Sequence, residues 1–313
     1  MNIFLGSSEN SIFKMEDFEQ NQILEKPFYP TTLDNILDKK HNNYNYSNDW
    51  VRIIVCDIAL ATGEDNDNSI YIFMAINKKT GERRVENIDM KNGLNTVLQV
   101  MMIKRYFYDY KADYIMLDVK GNGAGIFDLL TTETYDAEFN KVYPAWTVCL
   151  DKKLQISSDV VMNDKIQRTI SNNAEEVIIP YAGTSDLNSQ MHLLLRKALK
   201  DKIISFLKDD SEMQYKIEDK DPTFATKSSE EKAFIMNPYL QTRLMINESV
   251  SLEIKFMDNG NIKLSEAKRT NTKDRYMTLA MANFLADKIH NKYLRGNEDS
   301  DLDEADFYEI YNY

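Results

Sequence analysis

The chain of 313 residues is poor in the groups that would give it a thiol framework or a zinc site. It has two cysteines, Cys56 and Cys149, each inside an apolar run with no second thiol nearby, so a disulfide framework is excluded and both read as small core residues in a reducing compartment. Its three histidines, His41, His192 and His290, are scattered, whereas zinc needs four closely spaced ligands. No apolar run approaches the roughly 18 residues of a membrane span, and the start lacks the basic-then-apolar pattern of a signal peptide. The expectation is a soluble, intracellular protein with no membrane partner. No GxxxxGK[ST], GxSxG, HExxH or calcium-loop pattern occurs, so no P-loop, nucleophile elbow or zinc-protease helix is expected.

What is present is ordinary for a globular core, at 43% hydrophobic and 28% charged residues. The net charge of −12 argues at first sight against nucleic acid. The acid is unevenly spread, however, concentrated between Asp209 and Glu231 and between Glu298 and Glu309. Binding to a phosphate backbone needs local basic charge and not a basic average.

Three segments are expected: a polar linker or strap over 1–48, a catalytic domain over 49–294, and an acidic tail over 295–313. VRIIVCDIAL, from Val51, is apolar on both faces and β-branched, as a central strand should be. SIYIFMAI is a second strand, and a turn at Lys78–Glu82 leads to a third over Arg84–Ile88, an antiparallel meander. Leu94, Val97, Leu98, Met101, Met102 and Tyr106 recur at helical spacing. A fourth strand, ADYIMLDV, runs into KGNGAG and a helix; a fifth, EEVIIPYA, precedes a long helix with Met191, Leu194, Leu195, Ala198 and Leu199 inward. SLEIKFMDNGNIKLSEA reads as a β-hairpin about an Asn-Gly turn, followed by a helix over about Thr272–Lys292. This order predicts an α/β, ribonuclease H-like fold: a mixed five-stranded sheet flanked by helices, with an added hairpin. In that fold the fourth strand lies beside the first. The opening meander fits a doubly wound nucleotide-binding fold poorly. Residues 131–173 read as an insertion near the site.

Asp57 interrupts the first strand on the face of Ile53 and Val55, and Asp118 ends the fourth in the same way. A lone buried carboxylate is costly and must be paired, neutralised or given a metal. Asp274 stands three residues before Met277 and seven before Met281, which turns it inward at the start of the last helix. Each acid alone has a plain structural explanation, a loop start for the first two and the helix dipole for Asp274. Together they suggest a site for Mg²⁺ or Mn²⁺, because like charges about 5 Å apart repel by roughly 3 kcal/mol at an effective dielectric of 20 and hard oxygen ligands suit such ions. Two ions could activate a water and stabilise the leaving oxygen of a phosphodiester. Asp67, with Asp65 as its competitor, is a candidate fourth ligand. Lys120, Lys268, Arg269, Lys273 and Arg275 are the basic groups nearest in sequence, candidates to hold DNA phosphates, with surface solvation the plain alternative for each. GNGAG lacks the third glycine of the dinucleotide fingerprint, Ile126 standing in its place; its glycines let the backbone pass close to a metal site or a DNA strand.

CDIALATGEDNDNSIYIF, YIMLDVKGNGAGIFDLL and TKDRYMTLAMANFL together resemble the three acidic motifs of phage terminase large subunit nuclease domains. The resemblance covers most of Val51–Lys292. It implies a metal-dependent endonuclease that cuts concatemeric double-stranded viral DNA during genome packaging, with two Mg²⁺ or Mn²⁺ ions. It carries the metal-binding roles onto Asp57, Asp118 and Asp274, and onto Asp67 as an additional acid. It further implies a packaging ATPase, a portal and a small terminase subunit as partners, and a place in the cytoplasm of an infected bacterium, transiently at the procapsid portal. The family normally places a P-loop motor before the nuclease. Here a short polar segment stands there, so the motor is expected on another chain or on an excised part of this one, and no ATP hydrolysis is expected. Rival readings are a junction resolvase or transposase-type nuclease on the same fold, and a non-catalytic docking module of the packaging machine.

Overall fold

The computed structural model describes residues 11–30, 46–59, 68–266 and 272–294. In chain order these form α1 (Met15–Glu19), β1 (Gln22–Leu24), β2 (Trp50–Asp57), β3 (Ser69–Asn77), β4 (Arg83–Lys91), α2 (Thr96–Tyr110), β5 (Tyr114–Asp118) and α3 (Asn122–Leu130). Then come β6 (Thr134–Asp136), β7 (Lys141–Tyr143), β8 (Trp146–Val148), α4 (Asp159–Arg168), β9 (Glu175–Tyr181), α5 (Ser185–Lys200) and β10 (Ile204–Leu207). The last are α6 (Asp210–Lys220), α7 (Ser229–Val250), β11 (Leu252–Phe256), β12 (Ile262–Glu266) and α8 (Asp274–Leu294).

The main sheet has eight strands in the order β1-β10-β4-β3-β2-β5-β9-β8. Its middle five are the five expected from the sequence. β2, β3 and β4 form the antiparallel meander, β5 runs parallel beside β2, and β9 runs parallel beside β5. The expected count of five is corrected by β1, β10 and β8, short strands that carry too few residues to show a period.

Strand alternation divides the core in two. Ile53, Val55, Ile70, Ile72 and Met116 face α5, α7 and α8, while Ile54, Cys56, Phe73, Ile115 and Leu117 face α2 and α3. Cys56 and Cys149 are both free and buried. The α2 stripe runs through Val100, Ile103, Tyr106, Phe107 and Tyr110; Val97 and Leu98, expected on it, are exposed. The helix begins at Thr96, where Asn95 caps it by accepting the Leu98 N–H at 2.9 Å, and its first turn points Val97 and Leu98 to solvent.

Two further expectations are revised. Part of the polar strap is core: Phe13, Phe18 and Phe28 are buried, and β1 pairs with β10. In the insertion, β8 extends the sheet beside β9, and Trp146, Val148 and Met162 join the α2/α3 core, the face opposite Asp57. The buried Lys104 ties it down, its Nζ donating to the carbonyls of Thr132 (2.7 Å) and Pro144 (2.8 Å). The acidic tail lies outside the described residues. No helix of the described residues is long and apolar enough to cross a membrane.

Two buried arginines fix α8 against the sheet. Arg83 on β4 donates to Asn283 and pairs with Asp287 at 3.1 Å. Arg275, in the first turn of α8, pairs with Glu248 of α7 and donates to Gln241 at 2.8 Å.

Candidate active site

Asp57 and Asp118 end neighbouring parallel strands. The ladder between β2 and β5 pairs Cys56 with Leu117, so the two aspartates stand side by side one residue further on. Paired strands run about 4.8 Å apart. Both side chains continue the α8-facing series, Val55 to Asp57 and Met116 to Asp118, and both are half-buried. Burial raises the Asp118 carboxyl above its usual range, opposed by the Lys120 backbone N–H, which donates to its Oδ1 at 2.9 Å, and by the Lys120 charge.

Asp274 is the first residue of α8. The ladders run Asp57–Ile70–Met90 across three strands, and Arg275 brings its guanidinium within 3.0 Å of Met90 Sδ. The first turn of α8 therefore sits over the end of the sheet that carries Asp57. The Oδ2 of Asp274 is shielded from solvent. Among the described residues, no group of three or more His, Cys, Asp or Glu side chains stands close enough together to hold a metal ion. Asp67 and its competitor Asp65 lie outside the described residues, as do Lys268 and Arg269.

Of the remaining basic candidates, Lys120 is exposed at the mouth of the site and its ammonium donates to the Gly183 carbonyl. Lys273 is half-buried and pairs with Glu266 at 3.2 Å. Arg275 differs from expectation: it is buried, and its three guanidinium nitrogens have Gln241, Glu248 and Met90 as partners, so it braces helices and presents no free fork to a phosphate.

The turn from β5 into α3 explains its glycines. Gly121 takes φ +54°, and a Cβ on Gly123 would meet the Asp118 carbonyl oxygen at 1.6 Å. Only glycine lets α3 start so close to the Asp118 backbone carbonyl. Tyr181 faces Asp118 across the β5–β9 ladder and shares its face with both aspartates. Its hydroxyl donates to Asn188 of α5, and burial, together with the charges of Asp118 and Asp57, raises its pKa. Gly183 leaves room for that hydroxyl, since a Cβ there would stand 2.7 Å from it. Sequence reading missed Tyr181 and Asn188; the signal was a tyrosine closing an apolar strand one turn before a helix. One turn further along α5, His192 is a core histidine, 2.7 Å from the Tyr276 hydroxyl, its pKa lowered to about 4 by burial and by the Lys273 charge.

The chemistry of the pair fits a hard divalent cation. Two half-buried carboxylates share one sheet end, and at least one is held above its usual pKa by desolvation.

No protein-family model matches the sequence, and no curated protein matches it. Among solved structures, the chain is similar to the large terminase nuclease from thermophilic phage G20c with bound magnesium, at 14% identity and TM-score 0.45 over 88% of this chain and 98% of that one. It is similar to the Thermus phage P74-26 large terminase nuclease domain at 15% identity and TM-score 0.42 over 87% and 94%. It is also similar to the HK97 bacteriophage large terminase at 7% identity and TM-score 0.43, over 87% of this chain and 43% of that one.

Proposed function

We propose that this chain is a Mg²⁺- or Mn²⁺-dependent endonuclease that cuts concatemeric double-stranded viral DNA during genome packaging. The observation that carries the reading is the adjacency of Asp57 and Asp118 at the ends of paired parallel strands, under the helix that begins with Asp274. The order of the three acidic motifs supports it. In this reading Asp57, Asp118 and Asp274 hold two cations, with Asp67 as an additional ligand. When bound, the cations supply an activated water and stabilise the leaving oxygen of the phosphodiester.

The chain's own residues do the positioning. The Lys120 N–H fixes one oxygen of Asp118, and in this reading the other is the cation ligand. Tyr181, held by Asn188, walls the site on the β9 side. In this reading the Lys120 ammonium, exposed at the mouth, meets a DNA phosphate, and Lys273, Lys268 and Arg269 are the further candidates for that role. A packaging ATPase, a portal and a small terminase subunit are the partners this activity requires.

Thermal unfolding with and without Mn²⁺ tests the site. A cation bound to the native state raises the melting temperature by mass action. The wild-type chain is expected to gain several degrees, and Asp57→Ala and Asp118→Ala to gain none. An equal rise in all three proteins would move the cation elsewhere and remove the basis of the proposal.

A further inference from the structure

A cleft opens beside β4. It is a cavity of about 280 Å³ between β4, the α2 helix, the N-terminal half of α7 and the segment ending at Pro30. Asn87, Asp89 and Lys91 alternate along one face of β4 and line it, the face opposite Asp57. Asn87 is 3% exposed, and its buried Oδ1 finds no hydrogen-bond partner among the described residues. A buried carbonyl oxygen left so in a folded protein asks for a donor from outside.

The wall opposite is aromatic. The rings of Tyr29 and Phe234 stack at 5.5 Å and 27°, and the Tyr29 hydroxyl donates to the Ile235 carbonyl at 2.8 Å, which holds the pair in place. Pro238 also lines the cleft, inside α7. At the outer end Lys91 pairs with Asp89 at 3.0 Å, and Asp89 also accepts from the buried Tyr106 hydroxyl.

An occupant flat enough to stack, with an N–H donor on one edge and a negative group to share Lys91 with Asp89, fits these groups. From Asn87 to Lys91 is four residues of strand, about 13 Å, which suits one nucleotide lying lengthwise. We propose that this cleft binds a single unstacked nucleotide, its base on the Tyr29–Phe234 stack, its exocyclic amine donating to Asn87 Oδ1, and its phosphate at Lys91. The nucleotide is either free or part of a single strand. The site goes beyond the metal-dependent reading and does not depend on it, since none of its groups belongs to the aspartate cluster.

The test is titration of the full chain, in EDTA, with dAMP, with deoxyadenosine and with a five-nucleotide single strand. Binding of dAMP or of the strand is expected, about tenfold weaker in Phe234→Ala, as loss of one stacking ring predicts, and weaker in Asn87→Ala. Both variants are expected to fold, since Phe234 is half-buried and the Asn87 oxygen has no described bond to lose. The preference for dAMP over deoxyadenosine should disappear in Lys91→Ala. Binding of dAMP alone points to a free nucleotide, and binding of the strand alone to DNA; Asp57→Ala should bind like the wild type. No binding of any probe, unchanged binding in both the Phe234 and Asn87 variants, or binding of N-acetylarginine amide in place of the nucleotides would overturn the proposal, whatever the fate of the nuclease reading.

Discussion

The backbone carbonyl of Asp118 lies directly against Gly123, so that a single methyl on that glycine would stand 1.6 Å from its oxygen. The turn that carries the carboxylate and the helix that follows are thus locked together by the absence of a side chain. Gly123→Ala forces one of them to move and should destabilise the fold by about 3 kcal/mol, at the upper end of overpacking costs. Gly125, two residues on in the same helix, meets nothing within 4 Å, and Gly125→Ala should be stabilising by about 0.5–1 kcal/mol. Denaturant melts of the two variants check the contrast. Equal effects would mean the turn does not hold Asp118 in this way.

Removing charge from the aspartate pair should stabilise the metal-free protein. Asp118→Asn keeps an oxygen for the Lys120 N–H and abolishes a half-buried charge beside Asp57. The expected gain is about 1 kcal/mol without divalent cation, read as a higher melting temperature in EDTA. A lower one would show that the charge is already compensated within the protein.

The strands that carry Asp57 and Asp118 are legible because they are apolar on both faces. The shorter β1, β8 and β10 are not, because they take their places through pairing that a local pattern does not encode. The helix α7 was hidden for another reason: Pro238 lies inside it, and its buried residues include Gln241, Thr242 and Ser249, which blur the apolar stripe. Arg275 read as a surface cation because its partner, Glu248, lies 27 residues away in sequence on another helix. Tyr181 and Asn188 were missed because a strand-end tyrosine and a helix asparagine carry no motif until the β5–β9 ladder sets them beside Asp118.

A buried acid away from the site gives a pH signature. Glu86, on β4, is raised to about 8 by burial, opposed by the Tyr110 hydroxyl, which donates to it at 2.8 Å. Its folded pKa lies above the ordinary value of 4.5, so its contribution is fully present below that value and is lost as pH rises towards 8. Glu86→Gln keeps an acceptor for Tyr110 and has no proton to lose. The variant should therefore gain stability over the wild type between pH 5 and 8, by at most about 1.4 kcal/mol per pH unit, and the gap should level off above. A gap that stays constant with pH would place the Glu86 carboxylate in a solvated setting.

Lys104 gives a local signature. Lys104→Met leaves the Thr132 and Pro144 carbonyls without their donor, at a cost of about 1–3 kcal/mol for each carbonyl left buried. Hydrogen exchange should accelerate over residues 131–144 and stay unchanged in β2 and β5. Uniform acceleration would mean the insertion folds only with the whole domain.

Supercoiled plasmid incubated with the purified chain and Mn²⁺ tests the proposed metal-dependent DNA hydrolysis at Asp57, Asp118 and Asp274. Nicked or linear product is predicted with the wild type, and none with EDTA or with Asp57→Ala, Asp118→Ala or Asp274→Ala shown to be folded. Cleavage that persists in those variants, or no cleavage by a wild type that binds Mn²⁺, would contradict it.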